Sequence, residues 1–508
     1  MLPQDILAAN RNSRSAIVFE SETFSYADLD DLANRFARYF AGQGLANGER
    51  ISFLCGNDPL LVAGYFGAFK AGGIANPLNN RLTPTELAYV INHAGSKALV
   101  VAAEFAETLA KTLPLLSHAP EILMLHASAT LPFAAHSDRE VFALPAARLT
   151  AEGPRPEDGA LLIYTSGTTG NPKGVLLTHA NLIAGAQYIN RAFEIKPADR
   201  TLCVMPLFHT NALMFSHLPF FMSGATVILR KRFSASKFWT QCKDFAANSA
   251  SASPTILALL LEHEAQAPPA SDIRLDYVKV ASAPTPVELA ERFEARFGKG
   301  LLLETFGLTE TTAMTTMNPL RGARKFGSIG QALAPQEVRI VDDEGKPLPQ
   351  GAVGELAIRG ATVMKEYFRD PDNTRRTIRD GWLHSGDMAR MDSDGFVFIV
   401  GRKKEMILRG GENISPLEVE QVAALHPAVR EAAAVGLPDR IWGEIVGLAV
   451  VRSATLSEEA LLEFCRARLS PFRVPERVVF VLQLPRNAMG KVTRNALRGA
   501  FSEAPKLA

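Results

Sequence analysis

Apolar and polar residues near the amino terminus recur with the period of a helix that has one buried face. In the segment TFSYADLDDLANRFARYFAGQGL the apolar side chains fall at helical spacing, at Leu29, Leu32, Ala33, Phe36 and Phe40. Ser25 followed by Asp28 has the spacing of an N-terminal cap, and Gly42 and Gly44 end the pattern. The segment therefore predicts an amphipathic helix packed on a core.

Farther along, buried strands and helices alternate. ERISFLCGN, KALVVAA, TLCVMPLF and ATVILRK read as strands, and PLLVAGYFGAFKAGGI reads as a helix. SASPTILALLLEHEAQ and YVKVASAPTPVELAERFEARFG each contain a strand and then a helix. This alternation predicts parallel α/β sheets. Residues 113–160 show no firm periodicity and predict a variable connection.

The pattern changes after residue 325. GSIGQALAPQEVRIVDDEGKPLPQGAVGELAIRG has short alternating runs separated by Gly and Pro, which is typical of a small β-barrel or sandwich. The last hundred residues combine helices and strands in an α+β pattern. The sequence therefore predicts a large domain over residues 1–401, with two α/β subdomains and a small β-barrel, and a small α+β domain over residues 402–508.

Bulk composition excludes several classes of protein. The chain has 508 residues and a net charge of +1, so nucleic-acid binding driven by charge is not expected. Its four cysteines form no CxxC pair and are predicted to be buried apolar side chains. No signal peptide and no apolar run of about 20 residues is apparent. We therefore expect a cytoplasmic protein without a transmembrane segment.

The segment YTSGTTGNPKGV, from Tyr164 to Val175, has the composition of a phosphate-binding loop. Glycines let the backbone approach an anion closely, hydroxyls and backbone N–H groups can surround it, and a lysine supplies a point charge. The groups concerned are Thr165, Ser166, Gly167, Thr168, Thr169, Gly170, Lys173 and Gly174. The spacing of these residues differs from the GxxxxGK[ST] pattern of other phosphate-binding loops. A surface turn is the alternative interpretation of the segment.

This loop closely resembles the signature of the adenylate-forming superfamily, which includes acyl- and aryl-CoA synthetases, peptide-synthetase adenylation domains and beetle luciferases. Five further stretches resemble later motifs of that family in the same chain order: PLFH, ETFGLTETT, WLHSGDMA, GRKKEMILRGGENISP and PRNAMGKVTR. Six motifs in order cover nearly the whole chain. The resemblance implies ATP and coenzyme A as co-substrates and Mg²⁺ as the metal.

The resemblance also implies roles for particular residues. The loop from Thr165 to Lys173 would hold the β- and γ-phosphates. In ETFGLTE, Glu304, Thr305 and Gly307 would line the nucleotide and Phe306 would pack on adenine. Thr309 would touch the α-phosphate, and Glu310 would hold Mg²⁺. Ala281, Ser282 and Ala283 would separate the adenine and acyl pockets, where relatives often have glycine at the first two positions.

Further roles lie near the carboxyl terminus. Asp387 and Arg402 would bind the ribose, and Lys491 would bridge the substrate carboxylate and the α-phosphate. The small domain would rotate about a hinge at Lys404, bringing Gly410 and Gly411 to the thiol tunnel. Upstream, His209 would line the acyl pocket, although a core histidine is the alternative. Without the family, Glu310 and Arg402 would be read as ordinary surface charges.

The implied reaction activates a small-molecule carboxylic acid in two steps. The acid attacks the α-phosphorus of ATP to give an acyl-adenylate and pyrophosphate, and a thiol then displaces AMP. The form GGENISP favours CoA as the thiol, with a carrier-protein thiol as the alternative. A catalytically silent ATP-binding protein is a further alternative. The sequence leaves open whether the acid is aliphatic, aromatic or carnitine-like. It also leaves open whether the chain forms a homodimer.

Overall fold

The computed structural model describes residues 1–12, 15–127, 131–149, 153–165, 172–486 and 492–502. The α-helices are Ile6–Ala9, Tyr26–Gly42, Pro59–Lys70, Pro84–Ala94, Ala106–Thr112, Asp138–Ala143, His179–Ala192, Leu218–Met222, Ala235–Asp244, Pro254–Glu262, Val287–Phe297, Pro371–Thr377, Pro416–Ala424, Glu458–Arg466 and Arg494–Ser502. Short 3₁₀ helices are Pro3–Asp5, Ala103–Phe105, Leu113–Leu115, Glu264–Gln266, Ala270–Asp272, Thr309–Thr311, Lys403–Glu405 and Pro471–Arg473, and Ala212–His217 is a π-helix.

The first sheet contains the two strands that flank the glycine-rich loop, and these strands pair as a hairpin. Its strands lie in the order Glu366–Tyr367, Lys173–Thr178, Gly159–Thr165, Ile74–Pro77, Arg50–Leu54, Ser96–Ala102, Glu121–Leu125 and His136–Ser137. Pairing is parallel from Gly159–Thr165 through the far edge, and antiparallel in the hairpin and beyond it. The hairpin therefore turns the chain back at one side of an otherwise parallel sheet.

The second sheet has a parallel centre and antiparallel edges. Its strands lie in the order Gln331–Ala332, Thr316–Met317, Leu302–Phe306, Tyr277–Val280, Ser249–Ala252, Arg200–Cys203, Thr226–Leu229, Ile17–Phe19 and Glu22–Phe24. The strands from Leu302–Phe306 to Ile17–Phe19 pair in parallel. These two sheets confirm the predicted α/β class.

The predicted amphipathic helix spans Tyr26–Gly42, and the Ser25 hydroxyl and the Asp28 side chain form a capping box at its start. Its apolar face packs on the helix Pro59–Lys70. Gly67 allows this contact, because a Cβ there would lie 2.4 Å from the Cβ of Phe36. All four cysteines are buried, as predicted.

By packing, the chain divides into one unit of residues 1–338 and 358–383 and another of residues 339–357 and 384–508. A third sheet has strands in the order Glu337–Val341, Gly354–Arg359, Trp382–Met391 and Ile378–Arg379, with Val397–Arg402 also pairing with Trp382–Met391. A fourth has the order Glu412–Ile414, Ile407–Arg409, Gly443–Arg452 and Val429–Asp439, with Arg477–Phe480 beside Gly443–Arg452. The functional boundary near residue 401 stays a prediction.

Three expectations need revision or detail. Residues 113–160 are not only a connection, since Glu121–Leu125 joins the first sheet. Of the strands in the stretch predicted as a small β-barrel, Glu337–Val341 and Gly354–Arg359 lie in the third sheet, whereas Gln331–Ala332 lies at the edge of the second. The strand predicted in ATVILRK is Thr226–Leu229, and the buried helical segment before it begins with the π-helix Ala212–His217. No described helix is long and apolar enough to cross a membrane.

Candidate active site

The glycine-rich loop leaves the first sheet at the end of a two-stranded hairpin. Gly159–Thr165 and Lys173–Thr178 pair antiparallel, and Thr165 lies directly opposite Lys173. The continuous apolar runs LLIY and VLL fit strands that are buried along most of their length. The hairpin register therefore holds the first hydroxyl and the lysine of the signature side by side.

Lys173 and Glu310 approach the same tyrosine. The ammonium nitrogen of Lys173 lies 4.9 Å from the ring centroid of Tyr367, within the range of a cation–π contact. The Tyr367 hydroxyl donates a hydrogen bond of 2.8 Å to Oε1 of Glu310. Burial, followed by the charge of Glu310, raises the pKa of Tyr367, so the phenol stays protonated. The two charged residues that the sequence singled out are thus joined through a third side chain.

Glu310 lies in the short helix Thr309–Thr311, which follows the strand Leu302–Phe306. Gly307 makes this turn sterically allowed, because a Cβ there would lie 1.6 Å from the carbonyl oxygen of Ala313. The hydroxyl of Thr210 donates to that of Thr309 at 3.3 Å. The turn therefore presents Thr309 and Glu310 together, with Thr210 beside them.

The residues just before this turn have buried side chains. Glu304 accepts a hydrogen bond from the Gly327 N–H at 3.2 Å, and its burial raises its pKa to about 7. Thr305 donates from its hydroxyl to the carbonyl of Val280 at 3.1 Å. Both side chains point into the fold, whereas Phe306 is half-buried. Of Glu304, Thr305 and Phe306, Phe306 is thus the residue whose side chain is partly exposed.

The segment Ala281–Ala283 follows the strand Tyr277–Val280. Ala281 is buried, and Ser282 and Ala283 are exposed. Ser282 has a φ of +81°, a left-handed backbone conformation that favours glycine. The backbone therefore carries a serine side chain at a position whose conformation favours glycine.

His209 precedes the π-helix Ala212–His217 and is half-buried. Its ring packs on Phe208 with a centroid separation of 4.4 Å. Ala212, Leu213, Met214 and Phe215 are each no more than 1% exposed. These four side chains therefore belong to the core, and Thr210, which precedes them, is the residue that bonds to Thr309.

In the second unit, Asp387 and Arg402 are paired across two antiparallel strands. Nε of Arg402 lies 2.8 Å from Oδ1 of Asp387, whose side chain is 5% exposed. Lys404 is exposed in the turn that follows. Gly410 and Gly411 have φ values of +57° and +89° and connect Ile407–Arg409 to Glu412–Ile414. The structure thus brings the two predicted ribose ligands together.

Ser166, Gly167, Thr168, Thr169, Gly170 and Lys491 lie outside the described residues. Tyr367, by contrast, was missed from the sequence. It lies in VMKEYF, which carries no glycine or charge pattern of its own, and its partners Lys173 and Glu310 are distant in the chain. The aromatic side chain in a short strand is the one local feature that could have indicated Tyr367.

The donor set around Glu310 suits Mg²⁺ bound together with phosphates. In the part of the chain that the structure describes, no three His, Cys, Asp or Glu side chains cluster as a metal site. Mg²⁺ sites on polyphosphates need only one or two protein carboxylates, since water and phosphate oxygens complete the octahedron. A single half-exposed carboxylate with one oxygen already hydrogen-bonded fits that requirement.

Comparisons with known proteins find similarity to one family of enzymes over nearly the whole chain. The family model of the AMP-binding enzymes matches residues 6–368, and that of the AMP-binding enzyme C-terminal domain matches residues 418–491. A sulfoacetate–CoA ligase of Cupriavidus necator is 38% identical, covering 91% of this chain and 89% of that protein. An oxalate–CoA ligase of Arabidopsis thaliana is 35% identical, covering 95% and 94%.

A solved structure of similar fold is ATP-bound MatB from Rhodopseudomonas palustris. It superposes with a TM-score of 0.89 at 29% identity, covering 99% of each chain. The family models, the CoA-ligase relatives and the ATP-bound neighbour agree on ATP and CoA as co-substrates of the reaction. The chain therefore belongs to the AMP-binding enzyme family, in its carboxylate–CoA ligase branch.

Proposed function

We propose that this CoA ligase activates a short carboxylic acid that carries a second polar or ionised group. Two full-length relatives are named for sulfoacetate and oxalate, which are small acids with two anionic groups. The polar run His209, Thr210 and Asn211 precedes the π-helix, and Thr210 bonds to Thr309. This run gives a small polar acid more partners than the buried apolar residues that follow it.

The adenylation site is proposed to be built on Lys173 and Glu310. The observation that carries this proposal is their convergence on Tyr367, 4.9 Å and 2.8 Å away by the contacts described above. Lys173 would hold the β- and γ-phosphates with Thr165 and the loop Ser166–Gly170. Glu310 would hold Mg²⁺, which when bound neutralises charge on the departing pyrophosphate. Thr309 would contact the α-phosphate.

The remaining roles concern the nucleoside and the attacking acid. Phe306 would pack on adenine, and the buried side chains of Glu304 and Thr305 leave their backbone, with Gly307, for contact with the nucleotide. Asp387 and Arg402 would hold the ribose hydroxyls, supported by their 2.8 Å ion pair. Lys491 would supply positive charge during attack on phosphorus.

For the second half-reaction we propose that residues 402–508 rotate about Lys404. This would bring Gly410 and Gly411 to the thiol, where their positive φ values let the backbone pass close to an extended ligand. Ala281–Ala283 and His209 would face the acyl group. Free CoA is the proposed thiol, a carrier protein being the alternative; a homodimer and a cytoplasmic location are also proposed.

The acid is tested by pyrophosphate release and acyl-CoA formation with a panel of acids. We expect oxalate and sulfoacetate to give higher kcat/KM than benzoate or octanoate. A preference for either of the last two would contradict the polar-acid proposal. Steady acyl-adenylate without acyl-CoA would instead favour a carrier-protein thiol.

The role of Glu310 is tested by Glu310→Gln, which keeps the size of the side chain and removes its charge. We expect adenylation to fall about 100-fold, since one charged contact to the transition state is lost. The melting temperature should stay close to that of the wild type because the side chain is half-exposed. An unchanged rate at limiting Mg²⁺ would exclude Glu310 as the metal ligand.

A further inference from the structure

The segment from Thr362 to Phe368 joins the two parts of the adenylation site. Its backbone bonds to the strand that carries Lys173: Lys365 donates to the carbonyl of Leu176, and Phe368 to that of Gly174. Met364 donates to the carbonyl oxygen of Glu310 at 2.8 Å. One short segment is therefore fixed both to the lysine strand and to the glutamate turn.

Tyr367 is the side chain of this segment that contacts both charged groups. It is 7% exposed and pairs with Val175 in the sheet, so its backbone position is fixed. A phenol has one proton, and Tyr367 donates it to Oε1 of Glu310.

We propose that Tyr367 is a positioning residue for adenylation, which fixes one oxygen of Glu310 and the ammonium group of Lys173. This inference rests on the proposed roles of Glu310 and Lys173. With Oε1 engaged by the hydroxyl, Oε2 is the oxygen left for a metal. A carboxylate that offers one oxygen suits octahedral Mg²⁺ and disfavours Ca²⁺, which accepts bidentate carboxylates and larger coordination numbers.

The ring has a separate effect on Lys173. A flexible lysine side chain loses rotamer freedom when it binds phosphate, and a cation–π contact restricts it beforehand. The hydroxyl and the ring of Tyr367 therefore act on different steps, one on metal binding and the other on ATP binding.

Two substitutions separate these effects. Tyr367→Phe removes the hydroxyl and keeps the ring, whereas Tyr367→Leu removes both. Tyr26→Phe is the matched control: Tyr26 is fully buried in the same unit, and its hydroxyl donates to the carbonyl of Ala225 at 2.6 Å. It reports the general cost of losing a buried tyrosine hydroxyl, which thermal melting measures for all three variants.

The first measurement is pyrophosphate release against free Mg²⁺, with Ca²⁺ as a competitor. In Tyr367→Phe we expect the half-saturating Mg²⁺ concentration to rise about tenfold, as for loss of one hydrogen bond to a charged group, and Ca²⁺ to inhibit at lower concentration. Tyr367→Leu should also raise the KM for ATP at saturating Mg²⁺, by about threefold relative to Tyr367→Phe. Tyr26→Phe should leave both values unchanged.

The second measurement needs no turnover. Electron paramagnetic resonance of Mn²⁺ with ATP, in the absence of acid, should show weaker binding to Tyr367→Phe than to the wild type or Tyr26→Phe. Wild-type metal dependence in Tyr367→Phe would overturn the inference if Glu310→Gln still lost Mn²⁺ binding. If Glu310→Gln also bound Mn²⁺ normally, the proposed role of Glu310 would fail as well.

Discussion

Two lysines of the first unit pack against aromatic rings, and their surroundings differ. Lys173 is half-buried at the start of the strand Lys173–Thr178, with its ammonium group over Tyr367. Lys279 is 1% exposed, and its ammonium group lies 4.8 Å from the ring centroid of Phe220. The first can meet a ligand, whereas the second is sealed in the core.

The buried lysine has a structural partner. Nζ of Lys279 donates to the carbonyl oxygen of Phe215 at 2.7 Å, within the π-helix Ala212–His217. Nδ1 of His217 lies 2.9 Å from the carbonyl oxygen of Ala212 in the same helix. Burial lowers the pKa of Lys279 to about 7 and that of His217 to about 4. Lys279 therefore stabilises an irregular helix, whereas Lys173 is proposed to bind the phosphates of ATP.

The same substitution at both lysines tests this difference most strongly. Lys173→Met should reduce pyrophosphate release about 100-fold, because a preorganised positive charge near the phosphates is lost. Its melting temperature should change little, since the side chain is half-exposed. Lys279→Met should retain most of the activity. Similar activity losses in the two variants would break the comparison.

Stability should show the opposite order, with substitution of Lys279 costing more than substitution of Lys173. Lys279→Ala should lower the free energy of unfolding by about 3 kcal/mol, because it leaves a cavity among aromatic rings and an unpaired carbonyl at Phe215. Lys279→Met fills most of that space and should cost about 1 kcal/mol. Urea unfolding monitored by near-ultraviolet circular dichroism measures both. Equal stability of Lys279→Ala and the wild type would show that Lys279 does not support the π-helix.

The pH dependence of stability gives a smaller, more specific signal. The pKa of Lys279 is lowered in the folded state from 10.5 to about 7. Between these values the unfolded chain binds a proton that the folded protein does not, so folding stability increases with pH from about 7 to about 10. Unfolding of wild type and Lys279→Met at pH 7 and pH 9.5 should differ in slope, with the variant less pH-dependent. Parallel slopes would contradict a sealed ammonium site.

The sequence was informative where one short stretch carries the whole signal. The capping box at Ser25 and Asp28 and the strand at Arg50–Leu54 follow from local spacing, and the structure agrees. It was weaker where burial decides a side chain's environment. Glu304 shares a motif with Glu310, yet one carboxylate is buried and the other faces Tyr367.

By itself, the sequence determined the α/β class, the family and the order of the motifs, because these depend on local periodicity and on residues that are neighbours in the chain. The tertiary structure decided which side chains meet. It brought Tyr367 between Lys173 and Glu310 through strand pairing, and it sealed Lys279 beside a π-helix. These contacts join residues far apart in sequence, so only folding of the whole sheet fixes their distances, burial and pKa values.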